Sequence, residues 1–211
     1  MENIEQANFL NDNESPETSP AEPAVEIKEK DYNILEIGCG EYPFFLRLKD
    51  GVDLKNAHYI GVDVINEDKL NKGRKRAQRK AEWADSSGLV PEKVDFVKGY
   101  FNKQGIPFKE GSFNEIIFRN VFGDPSTGYH DIVGFLEGSA KALKGKGKMA
   151  IIETYSPSVA KEILGYPAII NVINDKFQKV ENFYEINEEF EKNKDNFIST
   201  FEKKEEVAEN N

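Results

Sequence analysis

The chain has 211 residues, of which 28 are Lys or Arg and 38 are Asp or Glu, giving a formal net charge of −10. Its single cysteine, Cys39, excludes an internal disulfide framework, and one cysteine with two histidines argues against a cysteine- or histidine-based metal site. No apolar run approaches the about 20 residues that cross a bilayer, and the first ten residues lack the basic charge of a secretory signal. We therefore expect a cytoplasmic protein that binds neither a metal ion nor a membrane.

The acidic charge is concentrated near the two ends of the chain. Residues 1–30 contain eight acidic residues and two lysines, and residues 11–23 are rich in Asn, Glu, Ser and Pro. Such a segment buries too little apolar surface to offset the entropy lost on folding. The sequence predicts a flexible acidic tail over residues 1–30, one domain over residues 31–204 and a disordered tail over residues 205–211.

Short apolar runs alternate with longer amphipathic segments along most of the chain. The runs typical of strands are Asn33–Ile37, His58–Val64, Val94–Val97, Glu115–Arg119, Met149–Glu153, Lys179–Ile186 and Phe197–Glu202. The segments that favour helices are Tyr42–Leu48, Glu67–Asp85, Asp131–Leu143, a helix that Ser156 caps and Pro167 bends, and the short acidic Asn187–Lys192. The Lys144–Lys148 sequence, KGKGK, predicts a turn.

This order of elements predicts the fold class. Strands that alternate with helices favour a parallel sheet covered on both faces, whereas two late strands with a short connection favour antiparallel pairing at one edge. We expect an α/β, Rossmann-like, seven-stranded, mostly parallel sheet with helices on both faces and an antiparallel C-terminal edge strand.

The connection after the first strand predicts a nucleoside pocket. Gly38 and Gly40 allow a tight turn that brings a ligand close to backbone N–H groups. Asp63, at the end of the second strand, follows Gly40 by 23 residues, a spacing that suits hydrogen bonds to ribose hydroxyls.

The same turn argues against a ligand with phosphates. A dinucleotide fingerprint needs a third glycine where this chain has Pro43, and the chain has no Walker-type phosphate loop. Glu41 would also repel phosphate. The pattern therefore favours a nucleoside that carries a cation and makes an NAD-dependent oxidoreductase the weakest alternative.

Residues 30–204 resemble the class I S-adenosylmethionine (SAM)-dependent methyltransferase family. Glu36, Gly38 and Gly40 match its leading motif, E/D-x-G-x-G-x-G, while Phe113–Asn120 and Leu143–Glu153 resemble its fourth and fifth strand segments. The resemblance implies that SAM is the cofactor, that Glu36 lies near the methionine amino group and that Asp63 holds the ribose diol.

Some positions depart from the family pattern. Tyr42 replaces the third motif glycine, and Tyr100 and Phe101 stand where the family often has an acidic residue near adenine. Either aromatic ring could stack on adenine or anchor the core, and Asn120 is a further cofactor-binding candidate. No N-P-P-Y-like motif follows the fourth strand, so methylation of base amines by that route is not supported.

The acceptor side is less well determined, and no catalytic residue is assigned. Asp124 and His130, in the loop after the fourth strand, could accept a proton or could belong to turns and a helix start. Alignment of the methyl group with its acceptor can provide most of the rate acceleration without a base.

The partner remains open in the same way. We expect a small-molecule acceptor, although the basic cluster Lys69–Lys80 could bind RNA or be a solvated helix face. A catalytically inactive binding or scaffold protein with this fold is the alternative, because Tyr42 and the missing adenine-side acid weaken the match.

Overall fold

The computed structural model describes residues 32–47, 54, 56–64, 67–83, 91–99, 108–182 and 196–205. The strands are β1 (Tyr32–Ile37), β2 (Ala57–Asp63), β3 (Lys93–Lys98), β4 (Phe113–Arg119), β5 (Leu143–Glu153), β6 (Phe177–Val180) and β7 (Phe197–Lys203). The helices are α1 (Glu67–Trp83), α2 (Tyr129–Ala142), α3 (Pro157–Leu164) and α4 (Pro167–Lys176), and a 3-10 helix spans Phe44–Arg47.

The strands form one sheet in the order β3-β2-β1-β4-β5-β7-β6. The pairs from β3 to β5 are parallel, and β7 is antiparallel to both β5 and β6. The predicted Rossmann-like fold is confirmed. The antiparallel strand β7 lies one position inside the edge, which β6 occupies.

Two apolar layers, one on each face of the sheet, stabilise it. On one face, Leu35 and Phe118 pack with Phe135 and Leu136 of α2. On the other face, Tyr59, Phe96 and Ile117 pack with Phe44 and with Leu70 of α1. Successive strand residues point to opposite faces, so each central strand contributes to both layers.

The KGKGK segment is not the turn that the sequence predicts. It lies within β5, which begins at Leu143 immediately after α2. Phe113 of β4 pairs with Leu143, whereas Glu115 pairs with Lys148, so β5 carries extra residues between the two pairs. Lys146, at a φ of 57°, lies in this irregularity, which accommodates the extra residues without ending the strand.

Other local predictions also need correction. The predicted helix at Tyr42–Leu48 is only the 3-10 helix that begins at Phe44, and residue 48 lies outside the described residues. Ser156 makes no side-chain capping bond, and the predicted bent helix is two helices, with Pro167 as the first residue of α4. Pro167 lacks the N–H that a continuous helix would need, which separates the two. The predicted tails and the segment Asn187–Lys192 lie outside the described residues, except for residue 205.

Among the helices that the structure describes, none is both long and apolar enough to cross a membrane.

Replacing Phe118 with alanine tests how much the apolar layer between the sheet and α2 contributes to stability. Phe118 is fully buried and packs against the rings of Phe122 and Phe135. We expect Phe118→Ala to lower the free energy of unfolding by about 3–5 kcal/mol, because it leaves a cavity. Urea denaturation measures the change, and Tyr155→Ala, which removes a ring that is 85% exposed, is the control. Equal destabilisation of the two variants would contradict this account of the core.

Candidate functional site

A cavity of about 510 Å³ opens where β1, β2 and β4 end. This is the edge at which open parallel α/β sheets bind ligands, and the volume is within the range for small-molecule sites. Its lining includes Gly38, Gly40, Asp63, Gly99, Arg119, Asn120, Asp124 and Tyr155.

The turn after β1 has the backbone geometry that its glycines allow. Gly38 has a φ of 79° and Gly40 a φ of 57°. A Cβ atom at Gly38 would lie 2.2 Å from the carbonyl oxygen of Arg119, so only glycine fits there. The turn therefore approaches β4 closely and leaves backbone at the floor of the cavity.

Asp63 lies at this turn. Its Oδ2 accepts a hydrogen bond of 2.8 Å from the Gly40 N–H, and its half-buried side chain lines the cavity. Gly38, Gly40, Asp63 and Asn120, four of the predicted cofactor-binding residues, are thus brought together.

Glu36 lies behind the cavity and does not line it. Its side chain is fully buried, and its Oε2 accepts hydrogen bonds from the Phe44 N–H at 2.7 Å and from the Tyr59 hydroxyl at 2.5 Å. Its Oε1 lies 2.6 Å from Arg119 Nε. Burial raises the pKa of Glu36, whereas Arg119, Tyr59 and Phe44 all favour its carboxylate form.

Arg119 is the residue at this site that the sequence interpretation missed. Its side chain is 6% exposed, yet it lines the cavity beside Gly40. Burial is the largest single effect and lowers the pKa of Arg119, but Glu36, Tyr59 and Cys39 together outweigh it and raise the pKa, so the guanidinium is charged. The sequence carries no local signal for Arg119, because its contact with Glu36 depends on β1 and β4 being neighbours in the sheet.

The remaining predicted residues have other positions. Asn120 lines the cavity at a φ of 54°, and its Oδ1 accepts hydrogen bonds from the backbone N–H and hydroxyl of Thr154. Tyr100 and Phe101 lie outside the described residues.

The two candidate proton acceptors have different positions. Asp124 lines the cavity, and its Oδ1 accepts hydrogen bonds from the N–H and hydroxyl of Ser126. His130 is exposed on α2 and is not part of the lining.

Tyr42 lies at the rim of the cavity and leaves its interior open. Its ring is 50% exposed, and the Arg76 guanidinium stacks 3.7 Å from the ring centroid. Arg76 also donates to the Glu41 carbonyl oxygen at 2.7 Å, which fixes the turn against α1. The ring at the third motif position thus packs against Arg76 of α1 while Tyr42 also lines the cavity.

Glu153, at the end of β5, fixes the start of the loop after β4. Its buried carboxylate accepts hydrogen bonds from the N–H groups of Phe122 and Gly123 at 2.7 and 3.1 Å. Burial raises the pKa of Glu153, and these two N–H groups oppose the shift. Glu153 therefore holds the beginning of the loop that places Asp124 at the cavity.

Comparison with known proteins places the chain among methyltransferases. A family model described as a methyltransferase domain matches residues 28–209. No curated protein matches the chain. Among the residues that the structure describes, no group of three or more His, Cys, Asp or Glu side chains could hold a metal ion.

Solved structures with a similar fold come from several organisms. The chain resembles the PH0226 protein of Pyrococcus horikoshii OT3, at 16% identity and a TM-score of 0.52, over 83% of this chain and 84% of that one. It resembles a SAM-dependent methyltransferase from Aquifex aeolicus at 16% identity and a TM-score of 0.50, over 83% and 84%. It also resembles the N-methyltransferase NodS of Bradyrhizobium japonicum WM9 in complex with S-adenosyl-L-homocysteine, at 14% identity and a TM-score of 0.50, over 82% and 79%. At these identities the likeness shows the fold.

Substitution of Gly38 tests the close approach of the turn to β4. We expect Gly38→Ala to lower the free energy of unfolding by at least about 2 kcal/mol, because the new Cβ meets the Arg119 carbonyl oxygen in a left-handed backbone conformation. Gly145→Ala is the matched control, since a Cβ there meets no atom within 4 Å. Urea denaturation of both variants gives the comparison, and a Gly38→Ala protein as stable as the control would refute the geometry.

Two substitutions of Glu153 separate its charge from its hydrogen bonds. Glu153→Ala leaves two buried N–H groups unpaired and should lower the free energy of unfolding by about 2–4 kcal/mol. Glu153→Gln keeps an acceptor oxygen and removes the titration.

The pH dependence follows from the raised pKa of Glu153. The folded state binds this proton more tightly than the unfolded chain, so the wild type should lose stability relative to Glu153→Gln as the pH rises above about 4.5. Denaturation at several pH values measures the difference, and a difference independent of pH would contradict the assignment.

Proposed function

This chain belongs to the class I SAM-dependent methyltransferase family, and on that premise we propose that it binds SAM in the cavity at the sheet edge and methylates a small-molecule acceptor. One observation supports this most strongly. The glycine turn and Asp63, which the sequence singled out separately, line one cavity and are joined by the hydrogen bond from Gly40 to Asp63.

The residues present fit the chemistry of SAM. The positive-φ glycines leave room for a ligand against the backbone, and Asp63 presents a carboxylate to the ribose hydroxyls. Gly99, at the end of β3, leaves space on the adenine side. When bound, SAM supplies an electrophilic methyl group on a sulfonium. NodS, a protein of similar fold, is an N-methyltransferase whose structure contains S-adenosyl-L-homocysteine.

The acceptor would enter from the side of the cavity formed by the loop after β4. Asp124, Ser126, Thr127 and the exposed ring of Tyr155 line that side. These residues would orient an acceptor in line with the methyl group, which can account for much of the acceleration. The cavity volume of about 510 Å³ is within the range for small-molecule sites, which favours a small molecule.

The basic helix α1 gives weaker support to an RNA acceptor. Arg74 donates to Glu67 and to the Phe96 carbonyl oxygen, and Arg76 donates to Glu41. Two of the basic residues therefore hold α1 against its neighbours. Lys69 does line the cavity, which places one cation of the cluster near the acceptor.

A non-catalytic binding protein is the second candidate. The position of Glu36 favours it, since the residue that the family motif places near the methionine amino group is directed into a buried ion pair. Incubation with cell extract and methyl-labelled SAM distinguishes the two functions, because an enzyme transfers label to an extract component and a binding protein does not.

Substitution of Asp63 tests the cofactor site. Asp63→Ala should weaken binding of S-adenosyl-L-homocysteine by at least about tenfold, because a charged acceptor for the ribose hydroxyls is lost. Asp63→Asn keeps an acceptor for the Gly40 N–H and separates the loss of charge from disruption of the turn. Isothermal titration calorimetry measures both dissociation constants.

The control for this test is Asp175→Asn, which removes a carboxylate from the exposed end of α4 and should leave the dissociation constant unchanged. If Asp63→Ala binds as tightly as this control, Asp63 does not hold the ribose.

A further inference from the structure

The buried guanidinium of Arg119 has hydrogen-bonding capacity that the protein does not use. Its Nε contacts Glu36, but neither terminal nitrogen has a hydrogen bond to any residue that the structure describes. The side chain is 6% exposed and lines the cavity. Nε is the Arg119 atom that is fully buried, whereas a terminal nitrogen lies 3.4 Å from the place of a Gly40 Cβ, on the side of the cavity. A ligand anion in the cavity would therefore complete the hydrogen bonds of the terminal nitrogens.

We propose that Arg119 binds a carboxylate of the ligand and that Glu36 positions Arg119 for this task. The proposal rests on the proposed function and assigns this carboxylate to the amino acid tail of SAM. Arginine presents a planar fork of N–H donors that matches the two oxygens of a carboxylate.

The arrangement of the strands supports this assignment. Arg119 ends β4 and Asp63 ends β2, and β1 lies between these strands. The ends of β2 and β4 are two strand spacings apart, about 10 Å, and the side chains of Asp63 and Arg119 both reach Gly40 in the turn between them. A nucleoside whose sugar contacts Asp63 can therefore extend its amino acid tail across the glycine turn towards Arg119.

The charges around the cavity favour Arg119 as the anion site. Asp63, Glu41 and Asp124 also line the cavity, and each would repel a carboxylate. Lys69 is the other cation of the described lining, and it belongs to α1 at the rim. The Phe44 N–H and the Tyr59 hydroxyl donate to Glu36 and partly neutralise its carboxylate. The terminal nitrogens of Arg119 therefore still attract an anion.

This assignment gives Glu36 a different role from the one that the family resemblance implies. Glu36 reaches the ligand only through Arg119, because it is fully buried and does not line the cavity. It is a positioning residue that fixes the Nε edge and leaves the terminal nitrogens directed to the ligand.

A pair of ligands that differ in one group tests the proposal. S-adenosyl-L-homocysteine carries the carboxylate, and its decarboxylated analogue has a hydrogen atom in that place. The wild-type protein should bind the first about 10- to 100-fold more tightly than the second, as measured by isothermal titration calorimetry.

Two variants show whether Arg119 causes this preference. Arg119→Met alone leaves Glu36 buried without its counter-charge and can fail to fold, so the principal variant is the double substitution Glu36→Gln/Arg119→Met. Its glutamine oxygen still accepts from Tyr59 and Phe44, and circular dichroism checks its fold. The preference should fall below about threefold in this variant, whereas Arg79→Met, which removes an exposed arginine of α1, should retain it.

The outcomes distinguish this inference from the proposed function. A folded double variant that retains the preference, or a wild type that binds both ligands equally, would overturn the role of Arg119 while SAM binding stands. Failure of the wild type to bind either ligand would refute the proposed function as well. If the pair has only a structural role, the double variant should bind both ligands more weakly by the same factor.

Discussion

The site depends on one buried ion pair. Glu36 of β1 and Arg119 of β4 are neighbours across the sheet, and both are almost entirely removed from solvent. A charge at that depth is tolerated only with a partner and with hydrogen bonds to its remaining atoms, which Tyr59 and Phe44 supply to Glu36. The pair joins β1, β2, β4 and the 3-10 helix at the edge where the cavity opens. The glycine turn lies directly against it.

Backbone requirements explain which parts of the site could be predicted. Gly38, Gly40 and Asp63 were identifiable because a positive φ and a carboxylate at a strand end leave a local signature in the sequence. Arg119 has no such signature, since its significance depends on which strands become neighbours. The order β2-β1-β4 is a tertiary property, and only this order brings Glu36 and Arg119 together.

The errors in the predicted elements have physical causes of the same kind. Gly145 and Gly147 are typical of a turn, but pairing with β4 continues on both sides of them, and the glycines absorb a bulge within β5. Pro43 fits a helix start, yet only a single turn follows at Phe44–Arg47, whose first N–H is bound to Glu36. In both places long-range contacts outweigh local preference.

The position of β7 determines when the sheet can be completed. Among the strands that the structure describes, β6 pairs with β7 alone, and β7 in turn covers the open side of β5. During synthesis on the ribosome, β6 emerges first and has no partner until residues 197–203 leave the exit tunnel. Until then the edge of β5 presents unpaired backbone to other chains, so a nascent chain released before that point is exposed to aggregation.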